Sequence, residues 1–271
     1  MRACRGIHWC VLMPRVVTLT TDFGTGSGYV AEMKGRLLRA HTAFTLVDIA
    51  HDLPPQDIRA AAWLVGQACL AFPAGSLHVV VVDPGVGTSR RLVWARIADQ
   101  EFLCPDNGVL SRLLSASPAS AARVLMVVDA AAATFHGRDV LAPAAVALLD
   151  GVTPESLGPP AGPLAILPWP EPRETTAGLV GEVIHVDTFG TLITNLPADL
   201  WPRLVVAGRL RVGDHEITTL VRTYGDAPPG TLVALVGSQG FIEAAVVQGS
   251  AAGRLAAGVG TSVAMPPART A

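Results

Sequence analysis

The feature that most restricts the fold of this chain is a change of hydrophobic pattern a little past its middle. Up to about residue 150, short β-branched runs alternate with apolar residues at helical spacing. Beyond about residue 175, only short strand-like runs separated by Gly, Asp and Pro remain. Six prolines lie between Pro159 and Pro172. We therefore predict an α/β domain over residues 14–158, a proline-rich linker over 159–175 and a β-barrel domain over 176–271.

The elements of the first domain follow each other as in a mostly parallel sheet with helices on both faces. Strands are predicted at residues 15–21, 44–49, 77–82, 92–97 and 123–129. Helices are predicted at residues 29–40, 57–72 and 142–149. The run at 77–82 is almost continuously apolar, which is typical of a strand buried on both faces of a parallel sheet.

The second domain is predicted to consist of strands alone. They are placed at residues 178–187, 191–196, 204–212, 215–222, 231–236, 241–247 and 262–265. No long helical pattern interrupts them, so we expect an all-β module, small enough to be a barrel or a compact sandwich.

The composition excludes several classes of protein. Only 15% of the 271 residues are charged, the formal net charge is −2, and Lys34 is the only lysine. Half of the chain is hydrophobic, which rules out disorder, since disorder requires low hydrophobicity and high net charge. A protein that binds nucleic acid by neutralising phosphates would carry a basic excess, and none is present. We therefore expect a folded protein with no nucleic-acid partner.

The mean hydropathy of +0.44 raises the question of a membrane segment. The longest stretch without Asp, Glu, Lys or Arg covers residues 60–82, which is long enough to span a bilayer. A turn at residues 72–76 divides it, so a helix followed by a buried strand explains it better. The apolar run at residues 7–12 is too short for a signal peptide. We expect no membrane segment and a cytoplasmic protein.

The sequence does not indicate a metal site. Its seven histidines lack the HxH and HExxH spacings, and Cys4, Cys10, Cys69 and Cys104 form no CxxC pair. Neither a GK[ST] phosphate loop nor a GxSxG nucleophile turn occurs. Buried, reduced thiols are the expected state of the cysteines.

The first cluster of polar residues follows the first predicted strand, at residues 20–28 (TTDFGTGSG). Ligands of open α/β sheets bind at the carboxyl ends of strands, and a glycine-rich turn allows close approach to the backbone. Tyr29 stands where the last glycine of a dinucleotide motif would be. Asp22 would repel a phosphate but suits a bidentate contact to ribose hydroxyls, which favours a nucleoside without a 5′-phosphate. The alternative is that Asp22 caps the following helix.

The second cluster follows the valine-rich strand, at residues 82–91 (VDPGVGTSRR). The strand delivers Asp83 at its carboxyl end, and a turn-rich loop returns Arg90 seven residues later. A weak ion pair within the loop is one interpretation. An aspartate that directly follows four valines is expected to be desolvated and to need a partner, which favours a functional pair.

The third cluster, residues 134–139 (TFHGRD), lies on a loop between a predicted strand and a predicted helix. A single loop histidine is more often structural, but the place of His136 beside two other strand-end clusters favours a functional role. Arg138 and Asp139 are expected to form a local ion pair and a helix cap. Residues 105–108 (PDNG) are interpreted as a plain turn.

Further candidates lie at predicted strand ends of the β domain. Turn signals surround Asp187, Phe189 and Asn195 in one segment, and Ser238 and Phe241 in another. Turn chemistry is one interpretation of each of them. Phe189 and Phe241, which adjoin glycines, are also suited to stack against a purine ring.

Taken in order, seven motifs resemble the S-adenosyl-L-methionine (SAM) hydroxide adenosyltransferase family, the SAM hydrolases related to the SAM-dependent fluorinase and chlorinase. They extend over about residues 15–255 and read TDFGTGSGYVAEMKG, HDLPPQD, VVDPGVGTSRR, PDNGVL, TFHGRD, DTFGTLITN and GSQGFIEAAVVQGSAA. The resemblance implies an α/β domain followed by a β-barrel domain. It also implies a homotrimer that binds SAM between the first domain of one subunit and the second domain of its neighbour.

The resemblance implies roles for individual residues. Asp83, Arg90 and His136 match the catalytic set that handles the attacking water, and Asp22 matches the acid that binds the ribose. Asp187, Phe189, Ser238 and Glu243 fall at positions that contact methionine or adenine. The candidate substrate-binding residues are Asp22, Phe23, Asp187, Phe189, Asn195, Ser238, Phe241 and Glu243.

The activity implied by the resemblance is hydrolysis of SAM to adenosine and L-methionine, with SAM as substrate and with neither a cofactor nor a metal. A sulfonium is a good leaving group, so the enzyme has to place water in line with C5′ and activate it. Arg90 would favour the hydroxide form, Asp83 would orient Arg90, and His136 would accept a proton.

Two alternatives stay open at this point. One is a SAM-dependent halogenase, against which Asp83 argues because the halogenases lack an acid at that position. The other is a non-catalytic sensor of SAM or adenosine that retains the pocket.

Overall fold

The computed structural model describes residues 14–127, 130–176 and 178–267, and its chain separates into two units on either side of Leu167. The interpretations made for the N-terminal tail, including Cys4 and Cys10, lie outside the described residues. The same holds for Asp129, the end of one predicted strand. Within the described part of the chain, none of the helices is long and apolar enough to cross a membrane.

Six strands form the sheet of the first unit. They are β1 (Arg15–Thr21), β2 (Phe44–Ala50), β3 (Leu77–Val81), β4 (Leu92–Ile97), β5 (Gln100–Pro105) and β6 (Ala119–Val124). Their spatial order is β2-β1-β3-β5-β4-β6. The pairings among β2, β1, β3 and β5 are parallel, whereas β4 runs antiparallel to both β5 and β6. The prediction of an α/β fold is confirmed, and the sheet is mixed.

Helices cover both faces of this sheet. They are α1 (Gly28–Leu37), α2 (Ile58–Ala68), α3 (Ser111–Ala116) and α4 (Ala142–Leu149). Helix α1 packs beside α4, and α2 packs beside α3. Strand β3 serves both layers, because Leu77, Val79 and Val81 enter the core that contains α1 and α4, whereas Val80 and Val82 enter the core that contains α2 and α3. This alternation is the period-two pattern of a strand buried on both faces.

The order of the strands creates a crevice at one edge of the sheet. Strand β1 lies between β2 and β3. The connection after β1 therefore leads to one side of β1, and the connection after β2 leads to its other side. Such a reversal of strand order is the usual place for a ligand in an open α/β sheet. Asp22 directly follows β1, and Asp83 follows β3 by two residues. The fold therefore places both acids at the same edge.

Eight strands form the second unit. They are β7 (Arg173–Thr175), β8 (Gly178–Val186), β9 (Leu192–Pro197), β10 (Leu210–Val212), β11 (His215–Ile217), β12 (Leu232–Val236), β13 (Phe241–Val246) and β14 (Ser262–Met265). The antiparallel order is β11-β10-β14-β8-β9-β13-β12, with β7 paired to β8. A bridge between Leu220 and Ala234 brings the chain after β11 to β12, so the barrel nearly closes. The predicted β-barrel is confirmed.

Two short helices correct the expectation that this unit contains strands alone. They are α5 (Trp201–Ala207) and α6 (Ala251–Leu255). The strand predicted at 204–212 is therefore wrong in its first half, because α5 extends to Ala207 and is terminated by Gly208, which adopts a left-handed conformation (φ +72°). In the first unit, the strand predicted at 123–129 ends at Val124, and β5 and α3 were not predicted.

The first part of the proline-rich segment packs against the first unit. The Val124 amide donates to Pro159 O at 2.9 Å, and the Ala161 amide donates to Ala122 O at 3.0 Å. Arg91 donates to Ala161 O and, at 2.7 Å, to Pro163 O. Residues 159–163 thus continue along the open edge of the sheet beside β6.

Candidate functional site

Three of the predicted residues form one contacting group at the edge of the first unit. The Arg90 guanidinium binds Asp83 in a bidentate manner, with Nε 2.8 Å from Oδ1 and Nη2 donating to Oδ2. The same Nη2 donates to Nδ1 of His136 at 2.8 Å. The side chains of Asp83 and Arg90 are only 6% and 11% exposed, so the charges face each other away from bulk solvent. Arg90 is therefore a bridge between the acid and the histidine.

This geometry determines which ring nitrogen of His136 carries the proton. A guanidinium only donates hydrogen bonds, so Nδ1 of His136 accepts and the neutral ring carries its proton on Nε2. The pKa of His136 is lowered, first by burial of the ring and then by the charge of Arg90, against the opposing charges of Asp83 and Asp139. In this arrangement His136 is neutral near pH 7 and offers Nε2–H as a hydrogen-bond donor.

The end of the strand that carries Asp83 is held by residues interpreted above as a plain turn. Nδ2 of Asn107 donates to Val82 O at 2.9 Å, immediately before Asp83. Gly87 in the following loop has φ +79°, and a Cβ there would lie 2.8 Å from Ala133 O. The loop that returns Arg90 therefore packs so closely against the His136 loop that only glycine fits.

A cavity of about 240 Å³ lies beside this group. It is lined by Asp22, Phe23, Gln56, Val81, Asp83, Pro84, Val86, Thr134, Phe135, His136 and Gly137. Oδ2 of Asp22 accepts the backbone amide of Gln56 at 2.7 Å, which fixes one carboxylate oxygen. Asp22 is thus not the cap of the following helix, since Ser27 occupies that position. The remaining acceptor capacity of Asp22 is available to the cavity.

Three aromatic rings connect the two loops of this cavity. Phe23, Tyr29 and Phe135 contact one another edge to face, with centroid separations of 5.7, 5.7 and 5.2 Å. The guanidinium of Arg138 lies 4.9 Å from the centroid of Phe135. Packing of this kind restricts the positions of both loops. Of these rings, only Phe23 was selected from the sequence.

Arg138 and Asp139 form the expected local ion pair, with hydrogen bonds of 2.8 and 2.7 Å. The expected helix cap is wrong, because no side chain of the described residues caps the turn Gly137–Leu141 or helix α4. The bond to Arg138 is the main reason why the pKa of Asp139 falls to about 2. Asp139 also accepts the backbone amide of Ala132 at 3.1 Å. The turn after His136, Gly137–Leu141, is a π-helix, a conformation that is frequent at functional sites.

The second unit contains a separate pair of cavities that share Asp187 and Tyr224. One is about 530 Å³ and includes Phe189, a residue that is 78% exposed. The other is about 320 Å³ and includes Ser238 and Glu243. Oδ1 of Asp187 accepts the backbone amide of Phe189 at 3.0 Å, so it shapes the turn that presents this ring.

Glu243 is the most buried acid of these cavities, at 6% exposure. Burial raises the pKa of its carboxyl; the hydrogen bond from the Tyr224 hydroxyl, at 3.3 Å, lowers it, and the nearby charge of Asp187 raises it. A positive ligand group would relieve the repulsion between Asp187 and Glu243.

Two predicted binding residues are not brought to these cavities. Oδ1 of Asn195 accepts the Glu182 amide at 2.8 Å and its Nδ2 donates to Pro170 O at 3.1 Å. Asn195 is 4% exposed, so its amide has the role of a buried structural group. Phe241 begins β13 opposite Pro197 and is not among the residues that line either cavity. Ligand contact at these two positions stays a prediction.

Sequence reasoning did not single out Gln56, Phe135 or Tyr224. Gln56 acts through its backbone amide, for which no side-chain signal exists. Phe135 adjoins the selected His136, and Tyr224 lies within the capping box formed by Thr223 and Asp226, which fixes its turn. That capping pattern was the available signal. Among residues 14–127, 130–176 and 178–267, no group of three or more His, Cys, Asp or Glu side chains could hold a metal ion.

Comparison with known families gives two matches in chain order. Residues 17–158 match the model of the SAM hydroxide adenosyltransferase N-terminal domain. Residues 181–264 match that of the SAM hydroxide adenosyltransferase C-terminal domain. The two matches together cover most of the chain.

Individual relatives agree with this result. The chain is 40% identical to the (R)-S-adenosyl-L-methionine hydrolase of Thermus thermophilus, covering 88% of this chain and 94% of that protein. It is 38% identical to a protein of the same name from Salinispora arenicola, over 89% and 93%. A crystal structure of an uncharacterised conserved protein from Thermotoga maritima superposes with a TM-score of 0.84 at 34% identity, covering 91% and 98%. A fluorinase of Actinoplanes sp. is only 23% identical, over 67% of this chain and 71% of the fluorinase.

Proposed function

Because the chain belongs to the SAM hydroxide adenosyltransferase family, we propose that it hydrolyses SAM to adenosine and L-methionine. The observation that carries the proposal is the bidentate pair of Arg90 and Asp83 in contact with His136, beside a cavity that also holds Asp22. The relatives named SAM hydrolase, at 40% and 38% identity, support the choice of substrate.

The proposed reaction is a displacement at C5′ of SAM. The oxygen of water or hydroxide forms a bond to C5′, the C5′–S bond breaks, and its electron pair returns to sulfur. Sulfur thereby loses its positive charge and leaves as the neutral thioether of methionine, while the water gives up one proton to solvent. Since the sulfonium is already an activated leaving group, the reaction as proposed requires neither a metal nor a cofactor.

Arg90 and His136 are proposed to stabilise the attacking oxygen as it becomes hydroxide. A guanidinium and an Nε2–H are both donors, and donors favour the anionic form of a bound water. Asp83 holds Arg90 in place and balances its charge. The neutral tautomer of His136 favours this donor role over the role of proton acceptor that the sequence suggested.

Asp22 is proposed to bind the ribose hydroxyls through the acceptor capacity left by its contact with Gln56. In the second unit, Asp187 and Glu243 are suited to the ammonium group of the methionine part of SAM, since two nearby acids gain from one positive charge. Phe189 offers an exposed ring for the adenine, and Ser238 a polar contact.

The active form is proposed to be a homotrimer in which the first unit of one subunit and the second unit of a neighbour serve one SAM molecule. The family resemblance supports this arrangement. A cytoplasmic location is also proposed, and it is supported by two free, buried thiols, Cys69 and Cys104, which suit a reducing compartment. Fractionation of cells with antibody detection tests the location.

The test is to incubate the protein with SAM in water labelled with heavy oxygen, with and without chloride, and to separate the products by chromatography. We expect equal amounts of adenosine and methionine, with the heavy oxygen on the 5′ carbon of adenosine. A halogenated nucleoside in the chloride sample would identify a halogenase. Tight binding of SAM without turnover would identify a sensor, and either result would overturn the proposal.

A further inference from the structure

The motif HDLPPQD, residues 51–57, contacts the loop that carries Asp22 at three points. Nδ1 of His51 lies 2.9 Å from Oγ1 of Thr21, and the Gly24 amide donates to His51 O at 2.6 Å. The Gln56 amide donates to Asp22 Oδ2 at 2.7 Å. The segment after β2 therefore buttresses the loop after β1.

The His51 side chain is the buried part of this buttress. Its side chain is 10% exposed, and Thr21 is fully buried. Oγ1 of Thr21 accepts the Phe23 amide at 3.3 Å, so its own proton is free to be donated to Nδ1 of His51. That assignment places the ring proton on Nε2, which lies 3.1 Å from Oδ1 of Asp48.

The chain of contacts continues to the protein surface. Oδ2 of Asp48 accepts Lys34 Nζ at 2.5 Å, and these two side chains are 40% and 33% exposed. Burial raises the pKa of the Asp48 carboxyl, but the contacts with Lys34 and His51 lower it by more, so that the pKa is lowered overall. His51 therefore lies between the Lys34–Asp48 ion pair and the buried Thr21. It connects the end of β2 to the loop that carries Phe23.

The loop needs such support because of its composition. Gly24 and Gly26 have φ of +89° and +83°, and a Cβ at either position would meet no atom within 4 Å. The glycines thus give this loop freedom without packing of their own. A carboxylate that reads two ribose hydroxyls has to be held within a narrow range of orientations.

We propose that His51 is a positioning residue for ribose recognition, which holds Asp22 and Phe23 in place through Thr21 and through its own carbonyl group. This inference rests on the proposed function, because it assumes that Asp22 binds the ribose. His51 and Thr21 do not line the cavity, whereas Asp22, Phe23 and Gln56 do. His51 therefore acts through the loop and not by touching the substrate.

The test compares His51→Phe, which keeps a ring but removes the acceptor, with His51→Asn, which retains a hydrogen-bonding group near the position of Nδ1. For His51→Phe we expect the KM for SAM to rise about tenfold, the size of one lost hydrogen bond, with kcat within about threefold of wild type. His51→Asn is expected to recover part of the KM. His41→Phe, at an exposed position of the same unit, is the matched control and should leave both values unchanged.

A second measurement separates positioning from general destabilisation. Binding of adenosine and of 2′-deoxyadenosine is measured by calorimetry for each variant. The preference of the wild type for adenosine should fall towards one in His51→Phe, as in Asp22→Asn. An unchanged preference in a His51→Phe protein of lower Tm would show that His51 is merely structural and would overturn the inference.

The two proposals fail in distinguishable ways. A wild-type protein that prefers adenosine but does not hydrolyse SAM would contradict the proposed function and leave the calorimetric test of His51 intact. A wild-type protein that hydrolyses SAM but binds both nucleosides equally would contradict ribose recognition at Asp22, and with it the inference about His51.

Discussion

The bidentate pair of Asp83 and Arg90 requires that both carboxylate oxygens of Asp83 accept hydrogen bonds. Asp83→Asn replaces one carboxylate oxygen by an NH2 group, which cannot accept from the guanidinium. We expect kcat for SAM hydrolysis to fall by about a hundredfold or more, with KM within a fewfold, since Arg90 would no longer be held against the attacking oxygen. Steady-state kinetics on the wild type and on Asp83→Asn measures kcat and KM. Asp99→Asn, on an exposed turn of the same unit, is the control and should behave as wild type.

Substitutions at His136 can distinguish whether this residue acts as a hydrogen-bond donor or as a proton acceptor. As a donor, His136 can be replaced partly by glutamine, which also offers one acceptor and one donor, so His136→Gln should retain more kcat than His136→Ala. As a base, both variants would lose activity equally. Because burial and Arg90 lower the pKa of His136, any loss of wild-type kcat caused by protonation of this ring should have its midpoint below the ordinary pKa of 6.5. A pH profile of kcat for the three proteins decides the matter.

The sequence located the acids of the first unit because a residue that follows a buried strand has only one place to lie. Asp83 follows four buried valines, and its position at the crevice could be predicted from that pattern. The hydrogen-bond partners of Asn195 could not be predicted from the sequence in the same way. An amide side chain hydrogen-bonds equally well to a ligand or to a neighbouring backbone, and only the barrel geometry shows that Glu182 and Pro170 are its partners.

At the scale of elements, the sequence pattern is reliable where one continuous face is buried. Strand β4 and helix α4 have the bounds that were predicted, 92–97 and 142–149. The strand predicted at 204–212 covers the second half of helix α5, where Val205 and Val206 are β-branched, yet these two residues are 53% and 62% exposed. Position at the barrel surface, which the sequence does not encode locally, decided that element.

Strand β5 was missed because its polar residues are buried by distant partners. Glu101 is 9% exposed, accepts Trp94 Nε1 at 2.7 Å and also pairs with Arg15. Gln100, at 5% exposure, contacts His78. A local sequence pattern predicts such polar residues to be exposed, whereas the assembled sheet supplies the hydrogen-bond partners that allow them to be buried.

Gly237, in the turn between β12 and β13, leaves room for the carboxyl group of Glu243. An added Cβ at Gly237 would lie 1.7 Å from Oε1 of Glu243, so the carboxyl group would have to move out of its cavity. We expect Gly237→Ala to raise the KM for SAM about tenfold or more while the barrel remains folded, because the flexible end of Glu243 can yield. Gly258→Ala, where the new Cβ would meet nothing within 4 Å, is the matched control for kinetics and for Tm.

At the scale of the whole molecule, the central sheet contains a device that makes it sensitive to acid. His78 is fully buried on β3, with Nδ1 2.8 Å from Thr18 Oγ1 on β1 and Nε2 3.3 Å from Gln100 Oε1 on β5. Its ring also stacks on Phe102. Burial lowers the pKa of His78 to about 4, against the opposing effect of the hydrogen bond that His78 donates to Gln100.

The consequence for stability has a definite sign. Below pH 6.5 His78 becomes protonated in the unfolded chain, whereas in the folded chain it stays neutral until about pH 4. Lowering the pH from 6.5 to 4 therefore favours unfolding. The free energy of unfolding should fall by about 3 kcal/mol from this group. Urea titrations at pH 7.5, 6, 5 and 4 measure the slope. The slope should be smaller in His78→Phe and unchanged in His41→Phe, and an unaltered slope in the first variant would contradict the assignment.

Several of the few charged residues of the chain lie at the two candidate parts of the site. With only 15% charged residues, the chain still commits Asp22, Asp83 and Arg90 to one crevice and Asp187 and Glu243 to another. Each set alone is suited to only one part of SAM, the reacting nucleoside or the amino acid. The proposed homotrimer joins them across a subunit boundary, which makes activity a property of the assembly.

This arrangement is testable by complementation between two inactive chains. Asp83→Asn leaves the second unit intact, and Asp187→Ala leaves the first unit intact. If one SAM site uses the first unit of one subunit and the second unit of its neighbour, co-expressed mixtures of the two variants contain some sites with both parts intact. We expect such mixtures to hydrolyse SAM well above the sum of the separate variants, and to have a mass by light scattering of three times the 28.1 kDa chain.

A site built within one chain predicts the opposite result. Every subunit of the mixture would then carry one defective part, so its activity could not exceed the sum of the two variants, whatever the mass of the assembly. Mixing after separate purification, under conditions where subunits do not exchange, supplies the control, because it gives the same protein concentrations without mixed assemblies. Gain of activity only on co-expression therefore requires that neighbouring subunits share the substrate.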